Sequence, residues 1–250
     1  MNPKLISGDI SEEMYEGLKI YYVNFNKNTD KILFYIHGGY YLHHAVSFHL
    51  KMLKKIMKQT NASLVFPVYP LVPFNTVENS FDTMIKLFNK IQIENPGKKI
   101  ILSGDSAGGG YALALAESLE KQPDELILLS PWVDITMSNP EIINFKKKDP
   151  MLSGAKAKFI GNLWRGNYDA KDYRVSPIYG DLSKLKNVTI FVGTHEMFYP
   201  DNVLLYYKIK EQSLIEPKLI VGKSQNHVYP AYPTLEGKVA IRQIAEIINR

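Results

Sequence analysis

The stretch Gly104-Asp105-Ser106-Ala107-Gly108-Gly109 follows the apolar run Ile100-Ile101-Leu102 and precedes a helix-compatible run from Tyr111 to Glu120. A serine between glycines at a strand-to-helix turn can project from a sheet as a nucleophile, because the glycines tolerate strained dihedrals and let strand and helix pack closely. Such a serine needs a base to take its proton, an acid to orient that base, and N–H donors for the oxyanion formed when it attacks a carbonyl. The chain offers all three. His37-Gly38-Gly39 follows the apolar run ending at Ile36, and the N–H groups of Gly38, Gly39 and Ala107 are expected to face the developing charge. His37 itself is expected to brace its loop.

Among six histidines, His227 is the best placed base. It lies in Ser224-Gln225-Asn226-His227, beyond a late strand and ahead of the final helix, which gives the chain order serine, acid, histidine. His43, His44 and His49 precede or enter the first helix and are expected to pack or lie at the surface; His195 is expected to be structural. Two carboxylates compete for the acid. Glu196 sits just beyond the strand-like run Val188 to Val192, where a loop can reach the imidazole, whereas Asp201 follows Pro200 and reads as a helix N-terminal residue. Glu196 is preferred and Asp201 is the alternative.

These residues need elements to position them. Leu18 to Val23, Lys31 to Ile36, Ser63 to Phe66, Lys99 to Ser103, Glu125 to Leu129, Val188 to Val192 and Lys218 to Val221 read as strands, several apolar nearly throughout, as parallel strands covered on both faces are. Helical stripes alternate with them: Leu50, Leu53, Ile56 and Met57, then Val77, Phe81, Met84, Ile85 and Phe88. The pattern predicts one α/β domain spanning residues 1–250, with a mostly parallel central sheet and helices on both faces. Residues 139–179 break the rhythm and are expected to be an insertion at the carboxyl edge of the sheet that shapes access to the site.

Composition narrows the chemistry. Cysteine is absent, which excludes disulfides, thiolate nucleophiles and thiolate metal sites. The formal charge of +5 is carried by dispersed lysines, and the densest run, Lys146-Lys147-Lys148, reads as a solvated face, so no nucleic-acid partner is expected. Met1 to Asp9 lacks the cationic start and apolar run of a signal peptide, and no apolar run approaches the roughly 18 residues of a membrane span. A cytoplasmic protein without membrane insertion is the expectation.

The motifs together resemble the hormone-sensitive-lipase-like branch of the α/β-hydrolases, bacterial esterases and lipases with an HGGG motif and a GDSAGG elbow. Tyr69-Pro70-Leu71-Val72-Pro73-Phe74 and Ser130-Pro131-Trp132-Val133-Asp134 are similar to further family segments, and Ser176-Pro177-Ile178, the Gly193 to Glu196 loop and His227-Val228-Tyr229 follow in the family's order. The resemblance, from about Ile32 to the C-terminus, implies an α/β-hydrolase fold. It implies Ser106 as nucleophile, His227 as base, Glu196 as acid and Gly38, Gly39 and Ala107 as oxyanion donors. The implied activity is hydrolysis of small carboxylic esters through an acyl-enzyme, with neither metal nor organic cofactor. Amidase, deacetylase or formamidase chemistry on the same triad and a non-catalytic ligand-binding role are the alternatives. Three departures stand out: Tyr40 occupies the place of the third glycine, Glu196 that of a more usual aspartate, and the segment before the first core strand is short. A reduced cap and an open site preferring short acyl chains are expected, with Trp164, Tyr40 and Tyr41 available as a wall.

Overall fold

A computed structural model describes residues 5–6, 8–25 and 28–250. Eight strands form one sheet: β1 (Ile10–Tyr15), β2 (Leu18–Val23), β3 (Lys31–Ile36), β4 (Ser63–Val68), β5 (Lys99–Asp105), β6 (Glu125–Leu129), β7 (Val188–Gly193) and β8 (Lys218–Gly222). Their order is β1-β2-β4-β3-β5-β6-β7-β8. Pairing is antiparallel for β1 with β2 and β2 with β4, and parallel from β4 to β8. The helices are α1 (Ser47–Thr60), α2 (Phe81–Glu94), α3 (Ser106–Ser118), α4 (Ile142–Phe145), α5 (Gly154–Trp164), α6 (Tyr199–Gln212) and α7 (Leu235–Asn249).

The pleat explains the layering. Along β3, Ile32, Phe34 and Ile36 pack with Phe88 of α2 and Leu113 of α3, while Leu33 and Tyr35 point to the other face, with Leu53 of α1 and Ile244 of α7. Each face carries its own apolar layer, so the central strands are buried on both sides and read as continuous apolar runs. The strands expected from sequence are present, with β4 and β5 extending two residues further, to Val68 and Asp105.

The sequence reading missed β1. Its residues Ile-Ser-Glu-Glu-Met-Tyr have no apolar alternation and lie mostly exposed on the sheet edge. What forms it is the turn: Glu16 and Gly17 take φ of 43° and 84°, the left-handed pair that a two-residue hairpin between Tyr15 and Leu18 requires. The 139–179 segment lies between β6 and β7 and holds α4 and α5 with no strand. Lys146, Lys147 and Lys148 are exposed. Among the described residues, no helix is long and apolar enough to cross a membrane.

Candidate active site

Parallel strands end together, and the loops beyond them bring Ser106, Glu196, His227 and the His37-Gly38-Gly39 segment to one edge. Ser106 opens α3 directly after β5 with φ of 52°, the strained conformation of a strand-to-helix elbow. The flanking glycines are required by contact: a Cβ on Gly104 would lie 2.3 Å from the Gly108 carbonyl oxygen, and one on Gly108 would lie 2.2 Å from that of Ile36. Ser106 is buried except for 6% of its surface, enough to meet a small ligand.

His227 comes within reach because the loop after β8 is fastened to the loop after β7. Thr194 and His195 donate their N–H groups to the carbonyls of Gly222 and Gln225, at 3.0 and 2.9 Å. His227 Nε2 lies 2.8 Å from Ser106 Oγ, and its Nδ1 meets Glu196 Oε2. Glu196 is fully buried, and its other oxygen accepts from Ser130 Oγ and the Gly193 N–H, both at 2.7 Å. Ser130 Oγ in turn accepts the Val228 N–H at 3.0 Å, so one hydroxyl joins the acid to the residue after the histidine. Ser130 was quoted in the sequence only as part of a motif; nothing in its spacing reveals this role.

Asp201 lies elsewhere. It sits in the first turn of α6, as its place after Pro200 suggests, and its carboxylate accepts from Asn139 Nδ2 at 2.8 Å rather than from an imidazole. Burial, reinforced by Asp134 and opposed by the Asn139 hydrogen bond, pushes it up to about 7.

The glycine loop corrects one expectation. The Gly38 N–H donates to Asp105 Oδ1 at 2.9 Å, so it turns away from the serine and is spoken for. A carboxylate next to the nucleophile attracts this donor more strongly than a transient oxyanion can. Gly38 therefore leaves the donor set. Gly39 and Tyr40 both line the Ser106 cavity, and among the described residues their N–H groups have no acceptor. The Ala107 N–H belongs to the first turn of α3, where no preceding carbonyl is available. Tyr40, with φ of 59°, thus presents a backbone donor that the sequence reading overlooked, since its side chain seemed to be the departure from HGGG.

Asp105 organises this loop. It is buried and accepts from Tyr35 Oη at 2.6 Å and His49 Nε2 at 3.1 Å as well as from Gly38. Burial alone would raise its carboxyl, but the neighbouring His49 and the hydrogen bonds from Tyr35 and Gly38 hold it below the usual carboxylate range. His37 braces the loop as expected: its ring stacks on Tyr69 at 4.6 Å between centroids, and Nδ1 lies 2.6 Å from the Gly38 carbonyl. Burial, helped by His49, lowers its pKa to about 4, so the ring is neutral and Nδ1–H donates.

The cavity at Ser106 has a volume of about 230 Å³, with Tyr40, Phe48, Met151, Leu152 and Val228 among its apolar walls. Trp164 and Tyr41 are not part of that wall, contrary to the sequence expectation: both are fully buried and stack on each other at 4.3 Å. Their size and apolarity are used in the core beneath the site, beside Tyr69 and Tyr111. His43 and His44 are exposed at the mouth, and His195 is half-buried. Among the described residues, no group of three or more histidine, aspartate or glutamate side chains is arranged to hold a metal ion.

A serine at a strand-to-helix elbow, hydrogen-bonded to an imidazole that is hydrogen-bonded to a buried carboxylate, on a mostly parallel sheet, defines the class of the α/β-hydrolases. The chain belongs to the α/β-hydrolase fold family, whose model matches residues 33–231. An esterase of Acinetobacter venetianus is 28% identical over 227 residues, covering 88% of this chain and 75% of the relative. A triacylglycerol lipase of Mycobacterium tuberculosis is 26% identical over 206 residues, 80% of this chain and 43% of that longer protein. A solved structure from Staphylococcus aureus, assigned as an esterase, superposes with a TM-score of 0.92 at 28% identity, covering all of this chain and 85% of the other.

Proposed function

We propose that this α/β-hydrolase of the esterase and lipase type is a serine carboxylesterase that hydrolyses short-chain carboxylic esters through an acyl-enzyme. The observation that carries the reading is the continuous contact from Ser106 Oγ to His227 Nε2, at 2.8 Å, and from His227 Nδ1 to the buried Glu196. His227 takes the Ser106 proton as Oγ attacks the ester carbonyl carbon, and the resulting oxyanion is held by the N–H groups of Gly39, Tyr40 and Ala107. The imidazolium returns the proton to the leaving alkoxide. Water then enters, gives its proton to His227 and cleaves the acyl-enzyme, releasing the carboxylic acid and restoring Ser106. Glu196 keeps the proton on Nδ1 and stabilises the imidazolium.

The 250 residues are read as one α/β-hydrolase domain in which 139–179 form the cap. Met151 and Leu152 from that segment border the serine, and Asp149 accepts their N–H groups at 2.8 and 2.9 Å and that of Met197 at 2.8 Å. The small cavity they close favours short acyl groups. Steady-state hydrolysis of p-nitrophenyl acetate, butyrate and octanoate, beside the matching p-nitroanilides, tests the reading. The esters are expected to turn over with butyrate ahead of octanoate, and Ser106→Ala to lose about 10⁴-fold or more of kcat. Faster cleavage of the anilides, or an active Ser106→Ala, would refute it.

A further inference from the structure

A cavity of about 640 Å³ opens between α6 and the 134–145 segment, and it shares no lining residue with the cavity at Ser106. Its walls are apolar, with Phe145, Ile178, Val203 and Leu204 among them, and Leu204 remains 43% exposed. Three carboxyl groups line it: Glu141 is exposed, whereas Asp134 and Asp201 are each only 2% exposed.

The two buried carboxyls differ in how they are served. Asp134 Oδ1 accepts the Thr136 N–H and hydroxyl at 2.8 and 2.6 Å, and its Oδ2 accepts from Ser138 Oγ and Tyr179 Oη, both at 3.0 Å. Asp201 has a donor on Oδ1 alone, from Asn139. Its Oδ2 is buried without any hydrogen-bond partner among the described residues. A buried carboxyl oxygen left without a donor is unfavourable, the more so when charged, so the site gains by admitting a donor. Among the described residues, one cation lines the cavity, Lys208, whose Nζ donates to the Ile178 carbonyl at 2.9 Å and lies 5.4 Å from the Tyr179 ring centroid.

We propose that this cavity is a second ligand site that takes a small organic cation, a primary ammonium group on an apolar body, with Asp201 as the ammonium acceptor and the Val203 and Leu204 face of α6 as the apolar wall. The charge balance favours a cation over an anion or a neutral alcohol: three carboxyl groups, Asp134, Glu141 and Asp201, line the cavity against one ammonium, Lys208. Asp201 titrates at about 7. The groups facing it from the surrounding elements are Asp134 and Glu141 from the β6 to α4 connection, Tyr179 from the segment before β7, and Tyr199, Tyr207 and Lys208 from α6 itself. Burial is what chiefly raises it, and of these charges Asp134 adds to the effect. An ammonium group therefore binds the ionised carboxylate, and affinity must rise as the pH climbs through that value.

The test is calorimetric titration of 2-phenylethylammonium chloride into the full Ser106→Ala chain, which makes the result independent of any chemistry at the serine. One saturable site is expected, at least tenfold tighter than for 2-phenylethanol. Affinity should be about tenfold weaker at pH 6 than at pH 8, because roughly nine-tenths of a group titrating near 7 is protonated at the lower value. Asp201→Asn is expected to weaken binding at least tenfold, and Leu204→Lys, which places a competing cation on an exposed position of the wall, to do the same without disturbing the fold. Absence of saturable binding, equal affinity for the neutral alcohol, or unchanged affinity in a folded Asp201→Asn or Leu204→Lys would overturn the proposal.

Discussion

Glu196 and Asp201 are close in sequence and both buried, but they meet different partners. Glu196 receives two hydrogen bonds on one oxygen and the imidazole on the other. Asp201 faces Asp134 with a single donor. Replacing Glu196 by Gln is expected to lower kcat by about 10⁴-fold with KM little changed, because the amide cannot hold the required tautomer, whereas Asp201→Asn should remain near wild type in ester hydrolysis. The reverse pattern in folded variants would transfer the acid role to Asp201. Ser130 provides a finer measure. Its hydroxyl supports both Glu196 and the Val228 N–H, so Ser130→Ala should cost about tenfold in kcat, in line with a buried hydrogen bond worth roughly 1–2 kcal/mol. The sequence pointed to Ser106, His227 and Glu196 because each sits at a strand end, a position that chain order and turn chemistry reveal. It could not reveal Ser130 or the fate of the Gly38 N–H, since both depend on distant residues meeting: Ser130 with Glu196, and Gly38 with Asp105.

At the scale of elements, α3 is buried along almost its whole length, and this places an acid in an unusual position. Both oxygens of Glu117, near its C-terminal end, are buried without a partner among the described residues, and burial, with Asp181 nearby, pushes its pKa up to about 10. A carboxyl raised on folding is stabilising only while protonated in both states. Its contribution is complete below the usual glutamate range and is lost as pH rises towards 10, because the unfolded chain ionises first. Thermal melting from pH 5 to 9 should show wild-type stability falling across that window and Glu117→Gln falling less, with the variant several degrees more stable at pH 8. Parallel curves would show that Glu117 ionises without penalty. The legibility of elements follows the same physics of burial. Doubly covered strands such as β3 and β7 announce themselves as apolar runs, whereas edge strand β1 shows no such signal and depends on the left-handed turn at Glu16 and Gly17. Trp164 and Tyr41 were misplaced for a related reason: an aromatic near a site by sequence can serve the core as well as the cavity, and only packing decides.

Over the whole molecule, two apolar layers fix the sheet, and the sheet's carboxyl edge gathers segments that follow β3, β5, β6 and β8 around a cavity of about 230 Å³. Within that volume each added methylene should contribute about 0.8 kcal/mol, close to fourfold in kcat/KM, from acetyl to butyryl esters. Once the chain meets Phe48, Met151 and Leu152 the gain should stop, and octanoyl esters should fall below butyryl. A steady increase through octanoyl, measured with soluble monomeric substrates, would mean that the 149–153 segment yields to the acyl chain. We propose that the fold activates one hydroxyl among its many serines, that of Ser106. Treating the protein with diethyl p-nitrophenyl phosphate and mapping the product by peptide mass spectrometry tests it most directly. One diethylphosphoryl group per chain is expected, carried on Ser106, with ester hydrolysis lost in proportion to labelling and no label on His227→Ala. An unlabelled but folded protein, or a label on another residue with activity lost, would contradict it.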